Sequence, residues 1–238
     1  VIRAALAGLM ALLAAAPALA APPYATDDPG VLDRGAYEII PYVDAVLSSG
    51  TASGESGIDA NIGVTSGLQL GATVPLHRFA GGDSRFSPGD ISLAAKLALI
   101  EGRGDALSLS FGPSLAVPTA RHGRKRAGAD LPLWAGIERG AWSLHGGGGY
   151  RLAARRDGGP RPFGGLVVRR KCGDNLVLGS EFHAEGKGSG GRTMLMAGPG
   201  LEWKLSPTLT LVAAGHAMIA NRATHGRWHL FSALVITP

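Results

Sequence analysis

The chain has 238 residues, of which 37 are glycine, about one in six against an ordinary share of about 7%. Charged residues make up only 17% and hydrophobic residues 45%, and mean hydropathy is +0.15, which excludes an intrinsically disordered chain. Glycine scattered through helix interiors would cost about 1 kcal/mol per position relative to alanine, so a helical bundle is excluded too, and no Gly-X-Y period supports a collagen-like chain.

In chain order, residues 1–20 have the layout of a secretory signal peptide. Ile2-Arg3 supplies one positive charge, Ala4 to Ala16 an apolar run, and Ala18-Leu19-Ala20 a small-x-small cleavage site. The alternative, an N-terminal membrane anchor, needs roughly 20 apolar residues, more than this run provides. The mature chain is expected to begin near Ala21. Its single cysteine, Cys172, cannot form an internal disulfide. Residues 21–34 form a Pro-rich lead carrying Asp27 and Asp28. Two readings of it stay open: a disordered tether, or a plug that folds back into the structure formed by residues 35–238.

From residue 35 onward the chain repeats segments of about ten residues that alternate large apolar with small or polar side chains, the period of two expected of strands. Twelve such segments are expected, at about 36–48, 54–64, 68–77, 88–100, 106–118, 131–139, 141–152, 162–171, 175–184, 192–204, 208–219 and 227–236. Short connections such as Thr65-Ser66-Gly67 and Cys172-Gly173-Asp174 alternate with long ones: Leu47 to Ser53, Arg78 to Ser87, Thr119 to Asp130, Ala153 to Arg161, Glu185 to Gly191 and Ala220 to Gly226. Short turns at one end, long loops at the other and an even strand number predict an all-β fold, a transmembrane antiparallel up-and-down β-barrel of about 12 strands over residues 35–238. A soluble β-sandwich or barrel is the alternative. Aromatic residues, at 6%, are few for two interfacial girdles, although Tyr37, Trp142 and Trp203 fall near the short-turn end.

Parity then assigns the faces. Glu38, Asp59, Asn61, Gln69, Lys96, Glu138, His145, Arg151, Glu181, His183, Glu202, Lys204, His216 and His229 are expected to line the lumen, as a polar conduit or as a closed interior of ion pairs. Small inward residues (Gly179, Gly198, Gly200, Ser108, Ser110) favour some open space. No two histidines fall at ligand spacing on one strand, so lumen hydrogen bonding is a better reading than a metal site. Basic residues gather in two long loops, Arg121, Arg124, Lys125 and Arg126 in one and Arg155 and Arg156 in the next. At an outer surface they would meet lipopolysaccharide phosphates or draw anions to a pore mouth; otherwise they solubilise the loops. Nucleic acid is not an expected partner despite a sequence pI near 9.7, because export removes it and aromatics are not interleaved with the charges. No Gly-x-Ser-x-Gly element, phosphate loop, Cys/His metal spacing or dinucleotide fingerprint is present, so neither an enzyme nor a cofactor is expected.

Several stretches carry a resemblance: Tyr24-Ala-Thr-Asp-Asp-Pro-Gly30, Gly35-Ala-Tyr-Glu-Ile39, Gly89-Asp-Ile-Ser-Leu-Ala-Ala-Lys96, Leu131-Pro-Leu-Trp134, Gly146-Gly-Gly-Gly-Tyr150 and Asn175-Leu-Val-Leu-Gly-Ser-Glu-Phe-His183. In order and over most of the mature chain, it resembles an outer-membrane transporter family under a meta-pathway phenol-degradation heading. The resemblance implies an outer-membrane barrel with a transport role, and brings no defined substrate or site residues. The expected function is therefore a narrow channel or transporter passing small solutes across the bacterial outer membrane. The alternative is a non-conducting surface or structural barrel whose basic loops bind lipopolysaccharide or a partner protein.

Overall fold

A computed structural model describes residues 23–80, 83–85, 88–102, 105–120, 126–153, 159–187, 193–219 and 227–238. The expected signal peptide lies outside the described residues, as do Arg121, Arg124, Lys125, Arg155 and Arg156 of the basic loops. The strands, in chain order, are β1 (Tyr37–Ser48), β2 (Thr51–Thr65), β3 (Leu68–Ala80), β4 (Asp83–Arg85), β5 (Ile91–Ile100), β6 (Ser108–Phe111), β7 (Ser114–Val117), β8 (Gly128–Arg139), β9 (Trp142–Leu152), β10 (Arg161–Lys171), β11 (Leu176–Glu185), β12 (Met194–Ser206), β13 (Leu209–Met218) and β14 (Arg227–Ile236). All neighbours pair antiparallel, and β14 returns to β1 with Ile236 opposite Ile39 and Arg227 opposite Ser48. The sheet is thereby closed. β6 and β7 share one position in the wall, both paired to β5 and β8, and β4 only extends the β3 hairpin. Twelve staves remain, as the periodicity predicts.

The alternation of side chains sets the two faces. Ile39, Ile62, Leu93, Leu133, Leu166, Leu178, Phe182 and Leu234 all project outward and exposed. They form a belt far larger than the apolar patches a water-soluble monomer carries, so the outer face is built for lipid. Tyr37, Trp142 and Trp203 stand on this face at the short-turn end, and Tyr150 and Trp228 at the other. These are two sparse girdles rather than one. The core sits inside the barrel: Ile40, Tyr42, Val212, Ala233 and Val235 pack against one another on the β1–β14–β13 wall, with Tyr42 stacked on Phe231.

Two details differ from the sequence expectation. Leu47 to Ser53 is not a long loop: β1 and β2 continue to Ser48 and Thr51, and Ser49-Gly50 makes a tight turn with φ of 45° and 82°. That pair of left-handed residues is the conformation a two-residue hairpin demands. The fifth stave is interrupted at Gly112-Pro113, where proline has no N–H to give a ladder; Pro113 instead accepts from the Ala95 amide through its carbonyl.

Candidate functional site: the barrel lumen

The segment before β1 lies inside the barrel. The Gly35 amide donates to the Gly63 carbonyl and the Gly63 amide to the Ala36 carbonyl, which ties the segment's end to β2, and the Leu32 amide donates to Gln69 Oε1 at 2.9 Å. Midway, Asp27 forms an ion pair with Lys96 at 2.7 Å, and Lys96 Nζ also donates to the Asp28 carbonyl at 3.2 Å. Further on, the amides of Ala25 and Thr26 both donate to the Glu181 carboxylate, at 3.1 and 2.7 Å. Thr26 Oγ1 lies 3.4 Å from His183 Nδ1. Tyr24 packs with Val167 and Ala214, its ring against the backbone of Gly179 and Gly200. A Cβ at Gly200 would come within 2.6 Å of that ring. Burial, and next the Glu202 carboxylate, push the Tyr24 phenol well above its ordinary range, so it stays neutral.

Three of the stretches that carry the family resemblance therefore meet here: the Thr26-Asp27-Asp28 lead, Lys96 at the end of one strand motif, and Glu181 and His183 in another. Small inward residues were expected to leave open space. Gly179 and Gly200 instead make room for Tyr24, and Ser110 is fully buried.

The parity assignment places most of the remaining charges inside. Asn61 Nδ2 donates to Glu38 Oε1 at 3.1 Å, and Asp59 accepts from the Thr73 hydroxyl at 3.2 Å. Glu202 is paired to Arg169 at 2.9 Å, and Arg169 Nε reaches Ser143 Oγ. Arg151 grips Asp130 through Nε and Nη2 and touches Glu185 through Nη1 at 3.2 Å. Arg161 pairs with the same Glu185. His216 Nε2 sits 2.8 Å from Glu181 Oε2, its ring stacked on His229, whose Nε2 lies 2.8 Å from Asp44. His183 and His216 are thus brought to Glu181, with His229 stacked on His216, while His145 stands apart, buried beside Gly136 and Pro29. Among the described residues, no group of three or more His, Cys, Asp or Glu could hold a metal ion.

Two of the expected lumen residues are not in the lumen proper. Glu138 and Lys204 have inward parity but stand exposed at the short-turn rim, where the strands run past the enclosed volume; Glu138 meets Lys171 at 3.8 Å. Arg126, the one basic-loop residue described, is exposed. Sequence reasoning missed Arg169, which parity on β10 does point inward but which sits in the run Arg169-Arg170-Lys171. It also missed Asp130 and Glu185 as lumen ligands, because the strands extend further into the expected loops than their apolar alternation does.

Among the described residues, two spaces border the segment. On its long-loop side is a vestibule of about 450 Å³, floored by Ala25 and Asp27 and walled by residues including Asp44, Arg151, Phe163, His183 and Met196. Beside the segment, against β2, β3 and β5, is a smaller polar cavity of about 220 Å³ with Asp59, Asn61, Gln69, Thr73 and Lys96 in its wall. Asp27, Ala94 and Gly112 border both.

Comparison with solved structures places the fold. The chain is similar to an outer membrane channel from Pseudomonas putida F1 (TM-score 0.71, 15% identity, covering 89% of this chain and 98% of that one). It is also similar to the KdgM porin, whose structure is described as a complex with disordered oligogalacturonate (TM-score 0.60, 10% identity, 83% and 98% covered). The NanC porin is a third (TM-score 0.60, 7% identity, 84% and 99% covered). No curated protein matches the sequence. Residues 26–224 match the family described as "Putative MetA-pathway of phenol degradation"; the chain belongs to that family and has the outer-membrane β-barrel fold.

Proposed function

We propose that this barrel is a narrow passive conduit for small solutes across the outer membrane, and that solute passes beside the N-terminal segment rather than through an open bore. The observation that carries this reading is that the vestibule and the side cavity share a border at Asp27, Ala94 and Gly112. Asp27 stands at that border, ion-paired at 2.7 Å to Lys96 in the wall of the side cavity, so solute on this route would pass alongside the pair. Twelve staves enclose more room than the side chains of an eight-stranded barrel fill, which fits a lumen shared between a segment and a residual passage. On the outer side, the basic loop that includes Arg126 would lie against lipopolysaccharide phosphates. A lipid-hydrolase arrangement gains nothing from the geometry, since Ser180 faces lipid and donates to the Gly198 carbonyl while His183 faces the lumen.

Single-channel recording of the folded protein in a planar bilayer tests the proposal. The intact barrel is expected to give small, ohmic steps, and deletion of residues 23–33 to enlarge them several-fold. An intact barrel that inserts and stays silent, while the deleted one conducts, would mean a sealed lumen and overturn the passive-conduit reading.

A further inference from the structure

The chain contains four methionines, and the three that are described, Met194, Met196 and Met218, sit on the neighbouring strands β12 and β13. All three line the vestibule. Met196 is directly opposite Met218 across one strand pair and directly opposite His183 across the other. Side chains so placed on one face have Cβ atoms about 5 Å apart, within reach of a common ligand. Three adjacent staves thus place two methionines and a histidine side by side on the vestibule wall.

The surroundings match what a metal-binding imidazole needs. His183 Nδ1 is held by the Thr26 hydroxyl at 3.4 Å and lies 3.9 Å from Glu181 Oε1, which leaves Nε2 to meet a ligand; a ligating histidine is usually fixed in this way through its second nitrogen. His229, by contrast, spends Nε2 on Asp44. Carboxylates are close: Asp27 lies in the floor of the same vestibule, and Glu185 pairs across from Met194. Met196 is only 3% exposed, yet it lines the vestibule together with Met194, Met218 and His183, so these methionines stand at a cavity wall beside a nitrogen donor.

From this juxtaposition we propose that Met196, Met218 and His183 form a binding site for a soft monovalent cation, of the class of copper(I) or silver(I). Thioether and imidazole donors select such ions over hard cations, which want oxygen. The site does not depend on conduction. A silent barrel could still bind the ion, so failure of one reading is distinguishable from failure of the other.

The test is silver(I) titration of the folded, detergent-solubilised protein by calorimetry, with absorption at the silver edge to identify the bound atoms. Cys172 is an exposed free thiol that would itself take silver, so Cys172→Ser is the background for every measurement. The expected result is one silver ion per barrel with sulfur neighbours, and at least a tenfold loss of affinity in Met196→Leu/Met218→Leu. Leucine conserves volume, so the fold should survive; if the double variant fails to fold, Met218→Leu alone, at a half-buried position, carries the same expectation. Absence of silver binding in the Cys172→Ser protein, or binding undiminished by the leucine variants, overturns the proposal.

Discussion

The best-supplied group in the lumen is the Glu181 carboxylate, fully buried and reached by two backbone amides and by His216. Hydrogen bonds to a buried charge are worth about 1.5–3 kcal/mol each, and the donors would be left unsatisfied without it. Glutamine at this position keeps the shape but loses the charge and turns one oxygen into a donor facing other donors. Glu181→Gln is therefore expected to release the segment at Ala25 and Thr26 while leaving the barrel closed. Amide hydrogen exchange at those two residues should speed up at least tenfold, which corresponds to about 1.4 kcal/mol; exchange as slow as in the parent would rule out this carboxylate as the anchor. At this scale the sequence was half legible. Parity put Glu181, His183, Lys96 and Gln69 on the inner face, because a strand has only two faces to choose from. It could not say that they face residues 24–32, because that segment has no periodicity and its partners lie up to 157 positions away. Folding back and dangling free were both open readings of the same residues.

At the scale of the strand and hairpin, the apolar alternation located every stave to within a few residues, since outward side chains must be apolar wherever they cross lipid. It failed where strands outrun the lipid. Residues 51–53 read Thr-Ala-Ser, with no large apolar side chain to signal a strand, yet they pair with β1 up to Thr51 opposite Ser48. A polar loop and a strand end projecting beyond the apolar belt have the same composition. The true signal was the Ser49-Gly50 pair, which adopts the left-handed conformations of a tight hairpin turn. Gly50 has open space around it, so only its φ of 82° resists a side chain. Gly50→Ala is accordingly expected to cost about 1–2 kcal/mol, the penalty for an L-residue in that region, seen as a lowered midpoint of urea unfolding with unchanged slope. An unchanged midpoint would mean that the turn relaxes without penalty.

Taken whole, the molecule separates its two tasks by face. Inside are most of the ion pairs and the segment; outside is the apolar belt. This division explains how an exported chain with one cysteine and only 17% charged residues can be stable: closure leaves no open sheet edge to satisfy, and the belt is solvated by lipid rather than packed against protein. Stability of the barrel should then depend on depth in the belt far more than on the N-terminal segment. Leu166, outward in the middle of β10 and opposite Phe182, stands near the midplane, whereas Trp203 stands toward the short-turn end. Arginine at a lipid-facing midplane position costs about 2–4 kcal/mol, falling to about 0–1 kcal/mol near the interface. Leu166→Arg is expected to lose stability in that larger range and Trp203→Arg in the smaller one, measured by reversible denaturant titration in lipid vesicles. Equal penalties at the two positions would mean that the exposed apolar face does not lie across a bilayer, and the division of labour between the faces would have to be abandoned.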